Sequence, residues 1–264
     1  MPGVVKISVI TPSFNQFVFI ERTIQSVLQQ KVDFSFEYFV LDGGSTDGTQ
    51  EFLQKYENRL RWISEPDNGQ ADAVNKGIAM ATGEIIGWLN SDDVYAPGAL
   101  QKVMHYFDEH PECQWLYGKC NIIDEEGREI RKWLTKYKNF RIRKFTAESL
   151  LIENCISQPA VFFRKSVFNK VGRLATDLPF SMDYDLWLRL ARHYKPGIVN
   201  DYLASFRVHM RSKSNLNSRE QFNEQYQIHR KYDKRRIYLF LHRLYMYTTI
   251  SGYWLIAQLR NRRS

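Results

Sequence analysis

The chain has 264 residues, of which 44% are hydrophobic and 14% aromatic, and it carries a net charge of +8. These values predict one large α/β domain with an appendage, and they exclude a disordered or fibrous chain. The three cysteines, Cys113, Cys120 and Cys155, contain no Cys-x-x-Cys pair, which argues against a disulfide framework and against a zinc site. Because the N-terminus also lacks the pattern of a secretory signal, we expect a cytoplasmic protein.

The positive charge is concentrated at the C-terminus. Nine Lys or Arg residues lie between Arg230 and Ser264 against the single Asp233, whereas residues 1–229 carry 28 charges of each sign. Such a tail suggests an anionic partner surface, and the alternative is a solubilising helix face.

The first ninety residues alternate between strand-like and helix-like segments. Apolar runs rich in β-branched and aromatic residues predict strands at 4–10, 36–42, 59–64 and 84–90. Segments with helical periodicity separate them, at 17–30, 49–57 and 71–81. This alternation predicts βαβ units, and therefore a mostly parallel sheet with helices on both faces.

The remainder of the chain is less regular. We predict a hairpin formed by 113–124 and 129–134, strands at 159–165 and 197–209, and a helix at 183–194. Ser218 and Gln221 have the spacing of a capping box at the start of a helix over 218–232. The polar stretch 212–218 predicts a boundary between a domain of residues 1–215 and a helical region of residues 216–264.

Carboxylates follow the predicted strands at the edge where ligands bind in open α/β sheets. Asp42 ends the second strand, Asp67 follows the third, and Asp92 and Asp93 follow the fourth. Like charges this close raise one another's pKa unless something compensates them. Mg²⁺ binds through one or two carboxylates and takes substrate phosphates as further ligands. An isolated Asp-Asp pair is more often a turn or a helix cap, but the position of this pair at a strand end favours half of a metal site that a diphosphate completes.

Five segments occur in a characteristic order: SVITPSFNQ, VLDGGSTDGT, DNGQADAVNKGI, LNSDD and MDYDLWLRL. This ordered set resembles a family 2 glycosyltransferase of the GT-A fold, over about residues 4–210. The resemblance implies a Rossmann-like central sheet and an inverting transfer of a sugar from a nucleotide diphosphate donor, assisted by Mg²⁺ or Mn²⁺. A UDP-sugar is the donor that we expect, and the acceptor is a glycan or a lipid-linked glycan.

The resemblance also assigns residues to the donor site. By position, Asp42 matches the acid that reads the pyrimidine, and Asp92 and Asp93 match the acidic motif that contacts the ribose and the metal. Asn90 stands at the first place of that motif, which leaves open whether Asp92 or Asp93 is the principal ligand; we favour Asp93. The other residues expected at the donor site are Thr11, Pro12, Ser13, Asn15, Gly69 and Asp72.

An inverting transfer needs a carboxylate that takes the proton of the acceptor hydroxyl. Asp183 lies on the same helical face as Leu186 and Leu190, whereas Asp185 faces Arg189 at i+4. This pattern predicts that Asp183 points inward and Asp185 outward. An inward acid is either a satisfied helix cap or a functional group held in a cleft. The resemblance favours Asp183 as the base.

A basic loop follows the last predicted strand. It brings together Arg207, His209, Arg211 and Lys213. The cations are placed to screen a leaving diphosphate, and His209 is either a further metal ligand or a structural histidine. Gln158 is expected beside the acceptor pocket or in a plain turn.

The apolar C-terminal segment is too short to cross a bilayer, because 16 residues separate Arg243 from Arg260. Arg235, His242 and Thr249 line up at heptad spacing among Tyr, Trp, Leu and Ile residues. This pattern predicts a helix that lies on anionic lipid, at the inner face of the cell membrane. The alternative is a helix docked on the catalytic domain or in a homodimer.

Taken together, the residues and the resemblance predict a metal-dependent inverting glycosyltransferase of cell-surface polysaccharide or glycan synthesis. The alternative from another class is a catalytically silent module that binds sugar nucleotides or acts as a scaffold. We do not expect a nucleic-acid partner, because the basic residues cluster in an aromatic, apolar tail rather than across a folded face.

Overall fold

The computed structural model of the chain describes the backbone of residues 5–212 and 217–261, and the side chains of residues 6–212, 217 and 219–249. Its centre is an eight-stranded sheet with the order β3-β2-β1-β4-β7-β6-β8-β5. The strands are β1 Val5–Ser13, β2 Ser35–Asp42, β3 Arg61–Ser64, β4 Ile85–Trp88, β5 Val94–Tyr95, β6 Trp115–Ile123, β7 Val161–Arg164 and β8 Gly197–Arg207. The α-helices are α1 Phe17–Leu28, α2 Thr49–Leu53, α3 Gln70–Met80, α4 Ala99–Glu109, α5 Lys132–Arg141, α6 Ala147–Ile152, α7 Val167–Val171, α8 Met182–Ala191, α9 Ser218–Tyr232 and α10 Arg236–Asn261.

The N-terminal half of the sheet is parallel. β1 pairs in parallel with β2 and β4, and β2 pairs in parallel with β3. The C-terminal half is mixed, because β7 is antiparallel to β4 and β6, whereas β8 is parallel to β6 and antiparallel to β5. The predicted α/β fold with a Rossmann-like sheet is confirmed.

The pattern of apolar residues explains which strands lie at the centre. All four residues of β4 are buried, because this strand lies between β1 and β7 and helices cover both faces of the sheet. In β1, Val9 and Ile10 belong to two different hydrophobic cores, one on each face. On one face Trp115 stacks on Trp187 with ring centroids 5.9 Å apart, which joins β6 to α8.

Two local predictions were wrong. Residues 129–134 do not form the second strand of a hairpin: after one bridge between Ile123 and Glu129, the chain turns at Arg131, in a left-handed conformation, into α5. The available edges of β6 are taken by β7 and β8, so this segment has no strand to join. Ser218 is the first residue of α9 rather than its cap, which is Asn217, and no side-chain capping hydrogen bond is found there among the described residues.

The C-terminal helices pack against the rest of the chain over their described side chains. Ile228 and His229 of α9 and His242 of α10 are buried. His242 Nδ1 lies 3.0 Å from the carbonyl oxygen of Ile152 at the end of α6, and Tyr232 reaches α8 through the carboxylate of Asp185. The predicted boundary at 212–218 falls largely on residues 213–216, which lie outside the described part of the chain. The prediction that Lys213 screens a diphosphate falls on the same residues. Over the described residues, no helix combines the length and the apolar character that a membrane crossing requires.

Candidate active site

A cavity of about 860 Å³ lies at the carboxyl ends of β1, β2 and β4. Loops that follow these strands form one side, and α5, α8, α9 and α10 contribute residues to the other. The predicted site residues on its wall are Pro12, Ser13, Gly69, Asp92, Gln158, Asp183 and Arg211. The structure therefore brings the candidate donor motifs, an acid of the metal motif and the candidate base to one cavity, and the other predicted residues among those described are not part of its wall.

Asp42 is buried and organises the loop after β2. Its carboxylate accepts hydrogen bonds from the backbone N–H of Ser45 at 2.8 Å, from the Ser45 hydroxyl at 2.5 Å and from the Ser64 hydroxyl at 2.7 Å. Both carboxylate oxygens are thus engaged by the protein. Contact of Asp42 with a base stays a prediction, for which Oδ1 keeps acceptor capacity because it takes only one of these bonds.

Asn15 joins two loops on the donor side of the cavity. It has a left-handed backbone conformation (φ 52°). Its N–H donates to the hydroxyl of Ser45 at 2.7 Å, and its side-chain oxygen accepts from the N–H of Thr46 at 3.0 Å. Behind the same loop, the Thr11 hydroxyl lies 3.1 Å from the hydroxyl of Tyr38. Asn15 and Thr11 therefore support the wall rather than line it.

Asp72 has the same supporting role in the first turn of α3. It accepts a hydrogen bond from the N–H of Asn68 at 3.1 Å and lies 3.5 Å from Nζ of Lys76. The turn that it stabilises carries Gly69 and Gln70 to the cavity wall.

Asp93 is fully buried below the cavity. One carboxylate oxygen accepts from the backbone N–H of Arg207 at 2.8 Å, and the other lies 3.4 Å from the side-chain nitrogen of Asn90. Burial, together with the neighbouring charge of Asp92, raises the pKa of Asp93 well above its ordinary value. The hydroxyl of Thr23 in α1 donates to the carbonyl oxygens of Ser91 and Asp93. The carboxylate of Asp93 thus stabilises the fold below the cavity and does not face the cavity itself.

Arg207 does not reach the cavity, contrary to its predicted position beside a diphosphate. Its side chain is buried. The guanidinium donates to the carbonyl oxygens of Asp92 at 2.8 Å, Asp124 at 2.7 Å and Glu125 at 3.0 Å. These bonds fix the Asp92 turn to the loop after β6, because a buried guanidinium needs acceptors for its N–H groups.

Asp92 and His209 form a pair at the edge of the cavity. His209 Nε2 lies 3.0 Å from Oδ2 of Asp92, and His209 Nδ1 accepts from the N–H of Arg211 at 3.3 Å. In the neutral imidazole this arrangement leaves the proton on Nε2, facing Asp92. No group of three or more Asp, Glu, His or Cys side chains with metal-binding geometry occurs in the described residues. The Asp92 carboxylate nevertheless fits Mg²⁺ or Mn²⁺, which require one or two protein ligands when phosphate oxygens fill the other positions, whereas His209 in this tautomer has no free nitrogen for the ion and orients Asp92 instead. Of the two acids in this motif, Asp92 rather than Asp93 faces the cavity.

Asn90 holds the cavity floor together at the place where the acidic motif begins. Its side-chain oxygen accepts from Nε2 of Gln70 at 2.6 Å and from the indole N–H of Trp88 at 2.9 Å. Its nitrogen donates to Gln158 at 2.9 Å, and Gln158 donates to the carbonyl oxygen of Trp88 at 2.6 Å. An amide suits this position because it donates and accepts at once, which a carboxylate cannot do.

Asp183 lies in the first turn of α8, half-buried on the cavity wall. Burial raises the pKa of Asp183 to about 6, against the opposing effects of the backbone N–H groups of Asp183 and Tyr184 and of the Lys138 ammonium. A carboxyl with a pKa just below neutrality is ionised at pH 7 yet basic enough to take a proton.

The expectation that Asp185 points outward was wrong. Asp185 is 1% exposed. Its carboxylate accepts from Nε of Arg189 at 2.8 Å and from the hydroxyl of Tyr232 at 2.7 Å. The helical pattern placed Asp185 on the face opposite the core, and α9 covers that face.

Sequence reasoning missed one side of the cavity. Lys138 of α5 lines it and donates to the Ser157 hydroxyl at 3.0 Å. Further wall residues come from the C-terminal helices: Gln221, Phe222, Gln225, Tyr245 and Thr249. The heptad relation of His242 and Thr249 is visible in the sequence, which leaves open whether this helix lies on lipid or docks on the catalytic domain. The structure turns the seam toward the protein and the cavity.

The sequence profile of the family described as Glycosyl transferase family 2 matches residues 8–172. The chain belongs to this family. Among relatives of this glycosyltransferase, an uncharacterized glycosyltransferase of Mycobacterium tuberculosis (strain CDC 1551 / Oshkosh) is 31% identical over 204 residues, which cover 76% of this chain and 74% of the relative. An uncharacterized glycosyltransferase of Methanocaldococcus jannaschii is 26% identical over 210 residues, which cover 76% of this chain and 70% of the relative.

Solved structures share the fold of this glycosyltransferase. The structure of S. aureus TarS 1-349 in complex with UDP-GlcNAc has a TM-score of 0.66 at 20% identity, and the match covers 85% of this chain and 65% of TarS 1-349. The mannosyltransferase PcManGT of Pyrobaculum calidifontis, in complex with GDP-Man and Mn²⁺, also has a TM-score of 0.66, at 18% identity, with 87% of this chain and 65% of that chain covered. The chain thus spans just under two thirds of these solved structures.

Proposed function

We propose that this glycosyltransferase transfers a sugar with inversion from a nucleotide diphosphate donor, with a UDP-sugar as the first candidate, to an acceptor hydroxyl. The observation that carries the proposal is that Asp92 and Asp183 lie on the wall of one cavity at the carboxyl edge of the sheet. The nucleotide-sugar complexes of TarS and of PcManGT support the donor class.

The donor would bind on the side formed by the strand-end loops. The nucleoside lies against Pro12, Ser13 and Gly69, which line the cavity. The loop of Asp42 and Ser45 supports this wall from behind. The diphosphate lies toward Asp92 and Arg211, and Arg211 is the one predicted cation of the basic loop that the described structure places on the cavity wall.

Asp92 would hold a divalent cation at the diphosphate, and His209 would orient its carboxylate through Nε2. A bound Mg²⁺ or Mn²⁺ supplies charge neutralisation for the departing diphosphate. The cation also explains why the Asp92 carboxylate lies beside a site for phosphate. Without a cation between them, these two anions would repel each other. We assign the principal ligand to Asp92, in place of the earlier preference for Asp93, because Asp93 is committed to Arg207 and Asn90.

Asp183 would act as the general base. Its carboxylate takes the proton of the acceptor hydroxyl as that oxygen attacks the anomeric carbon, and the diphosphate leaves from the opposite face. The neighbouring Lys138 ammonium favours the ionised carboxylate, so the base is charged before the acceptor arrives.

The acceptor would enter from the side formed by α5, α9 and α10. Phe222 and Tyr245 form an edge-to-face pair with ring centroids 6.5 Å apart, and Gln225 lies beside them on the cavity wall. Aromatic rings and amides together suit a sugar, which presents both apolar ring faces and hydroxyls. We therefore propose a glycan acceptor, in a polysaccharide or lipid-linked pathway, with α10 held at a membrane surface.

Two measurements test the proposed function. Calorimetry with UDP-sugars and GDP-mannose, with Mn²⁺ and with a chelator, should show metal-dependent binding of one donor class. Incubation of that donor with glycan acceptors should give a product whose anomeric configuration, read by NMR, is opposite to that of the donor. Donor binding without transfer or hydrolysis for any acceptor would instead support the catalytically silent module.

A further inference from the structure

Helix α5 carries an exposed aromatic stripe. Trp133, Tyr137 and Phe140 are 63%, 43% and 54% exposed. Their spacing of i, i+4 and i+7 places them within about 60° of one another around the helix. The buried residues Thr135 and Asn139 lie on the opposite side. Three large aromatic side chains in one row on the solvent side of a short helix are unusual for a surface that contacts water alone.

The chain around this stripe is strongly basic. Residues 131–145 contain seven Lys or Arg and no Asp or Glu. Lys132 and Lys136 are exposed on one flank of the stripe, and Lys144 places its ammonium 4.8 Å from the ring centre of Phe140. Aromatic side chains in a row with cations along the flank are the pattern of a helix that lies in the interface of an anionic bilayer.

Helix α10 repeats the pattern on its outer face. Ile237, Phe240, Leu244 and Tyr247 are 58%, 63%, 51% and 68% exposed, and they fall on one side of the helix at i, i+3, i+7 and i+10. The polar seam of this helix faces inward, where His242 is buried against α6. The helix thus presents apolar residues to the outside, which is the reverse of the usual arrangement in a soluble protein.

The two helices that carry these stripes come together at the end of α6. The hydroxyl of Tyr137 donates to Glu153 at 2.9 Å, and His242 of α10 contacts the carbonyl of the adjacent Ile152 at 3.0 Å. Both helices also reach the cavity, through Lys138 and through Tyr245. A surface that contacts both stripes therefore lies beside the cavity.

We propose that the aromatic stripe of α5 and the apolar stripe of α10 form one lipid-facing surface that binds an anionic bilayer. Charge decides between the candidate occupants: a second copy of this chain would bring an equally basic α5 to the interface, whereas an anionic bilayer complements it. The surface stands independently of the donor chemistry; only its consequence, that a lipid-linked acceptor is presented to Asp183, rests on the proposed function.

The test is flotation of the full chain with vesicles of phosphatidylcholine alone and of phosphatidylcholine with phosphatidylglycerol in equal parts. We expect binding to the anionic vesicles that weakens as salt is raised. Lys132→Glu with Lys136→Glu should reduce the partition coefficient by about thirtyfold or more, at about a fivefold loss for each cation removed from an anionic surface. The matched control is Lys31→Glu with Lys170→Glu, which makes the same change of net charge at exposed lysines outside α5 and α10 and should retain most of the binding.

The apolar contribution of the lipid-facing surface is tested by a second pair of variants. Trp133→Ser with Phe140→Ser should lower the partition coefficient by about tenfold, since about 55 Å² of apolar surface buried in lipid corresponds to that factor. Val18→Ser with Met80→Ser removes exposed apolar side chains elsewhere and should leave binding unchanged. All of these positions are exposed, so circular dichroism should show folded variants.

Three outcomes would overturn the proposal: no binding of the wild-type chain to anionic vesicles at low salt, equal loss in the α5 variants and their controls, or a dimer that dissociates on the same α5 substitutions while vesicles remain unbound. Calorimetry with donor and Mn²⁺ on the same variants separates this proposal from the proposed function. A chain that binds vesicles but no donor refutes only the proposed function, and a chain that binds donor but no vesicles refutes only the lipid-facing surface.

Discussion

Replacement of Asp183 by Asn should remove catalysis and stabilise the fold at the same time. Asn keeps the shape of the side chain and an oxygen that can accept from the backbone N–H groups of the first turn of α8, but it cannot take a proton. A general base contributes about 10²- to 10⁴-fold to the rate. We therefore expect kcat of Asp183→Asn to fall by about that factor while donor affinity stays near that of the wild type.

The stability gain follows from the pKa of Asp183. Its rise from an ordinary value of 3.8 to about 6 corresponds to about 3 kcal/mol, at about 1.4 kcal/mol for each pKa unit. The folded state binds the proton more tightly than the unfolded state does, so the wild type loses stability as the pH rises from about 4 to about 6. Asn carries no charge at any pH, and the variant should be more stable at pH 7 by about 1 to 3 kcal/mol, with the lower value allowing for weaker hydrogen bonds to the amide.

Urea unfolding of both proteins at pH 4 and pH 7 measures this difference, which should nearly vanish at pH 4. The same carboxyl should appear in the wild-type kinetics as a fall in kcat/KM below about pH 6. Retained transfer in Asp183→Asn would remove this residue from the mechanism. A variant no more stable than the wild type at pH 7 would show that the carboxylate is better solvated than its position implies.

Three further changes test other parts of the site. Asp92→Asn should weaken Mn²⁺-dependent donor binding by about tenfold or more in calorimetry, because it removes the carboxylate that faces the cavity, and equal binding with and without a chelator in the wild type would contradict the assignment. Arg207→Met should lower the free energy of unfolding by about 3 kcal/mol, since a buried guanidinium that donates to the carbonyls of the Asp92 turn and the loop after β6 is lost; a normal melting temperature would refute this role. His229 is buried, and neither ring nitrogen has a hydrogen-bond partner among the described residues, so burial lowers the pKa of His229 to about 4. Its neutral form favours folding above pH 6.5, and about 3 kcal/mol of stability should be lost as the pH falls from 6.5 to about 4. His229→Phe should flatten that dependence in urea titrations, and an unchanged pH profile would assign the effect to other groups.

The N-terminal half of the fold was predictable because its signals are local. Strands β1, β2 and β4 are apolar runs bounded by polar residues, and helices α1 and α3 between them have helical periodicity. Carboxyl ends of parallel strands share one edge, so the position of the Asp92–Asp93 pair beside the cavity followed from sequence order, although the sequence favoured Asp93 over Asp92.

The predictions that failed depend on contacts between distant segments. The helical pattern around Asp185 predicts an exposed side chain. In the structure this side chain is buried, and its carboxylate accepts a hydrogen bond from the hydroxyl of Tyr232, 47 residues downstream. In the same way, the choice between Asp92 and Asp93 depended on Arg207, more than a hundred residues downstream, whose N–H occupies Asp93. Such pairings are not encoded in the local periodicity of a sequence.

The division of the cavity between two parts of the chain bears on what this glycosyltransferase recognises. The strand-end loops and Asp92 lie within residues 8–172, where the family profile matches. Asp183 and the wall residues of α9 and α10 lie beyond it. Under the proposed chemistry, the part within the family profile binds the nucleoside diphosphate of the donor, and the separate wall contacts the acceptor, so one fold can serve different acceptors through changes in that wall. The same α10 that supplies Tyr245 and Thr249 to the cavity turns Phe240 and Leu244 outward. Under the proposed chemistry, the contact that holds this helix at a bilayer and the contact that selects the acceptor are therefore made by opposite faces of one helix, so substitution of Phe240 or Leu244 should change membrane binding, whereas substitution of Tyr245 should change acceptor choice.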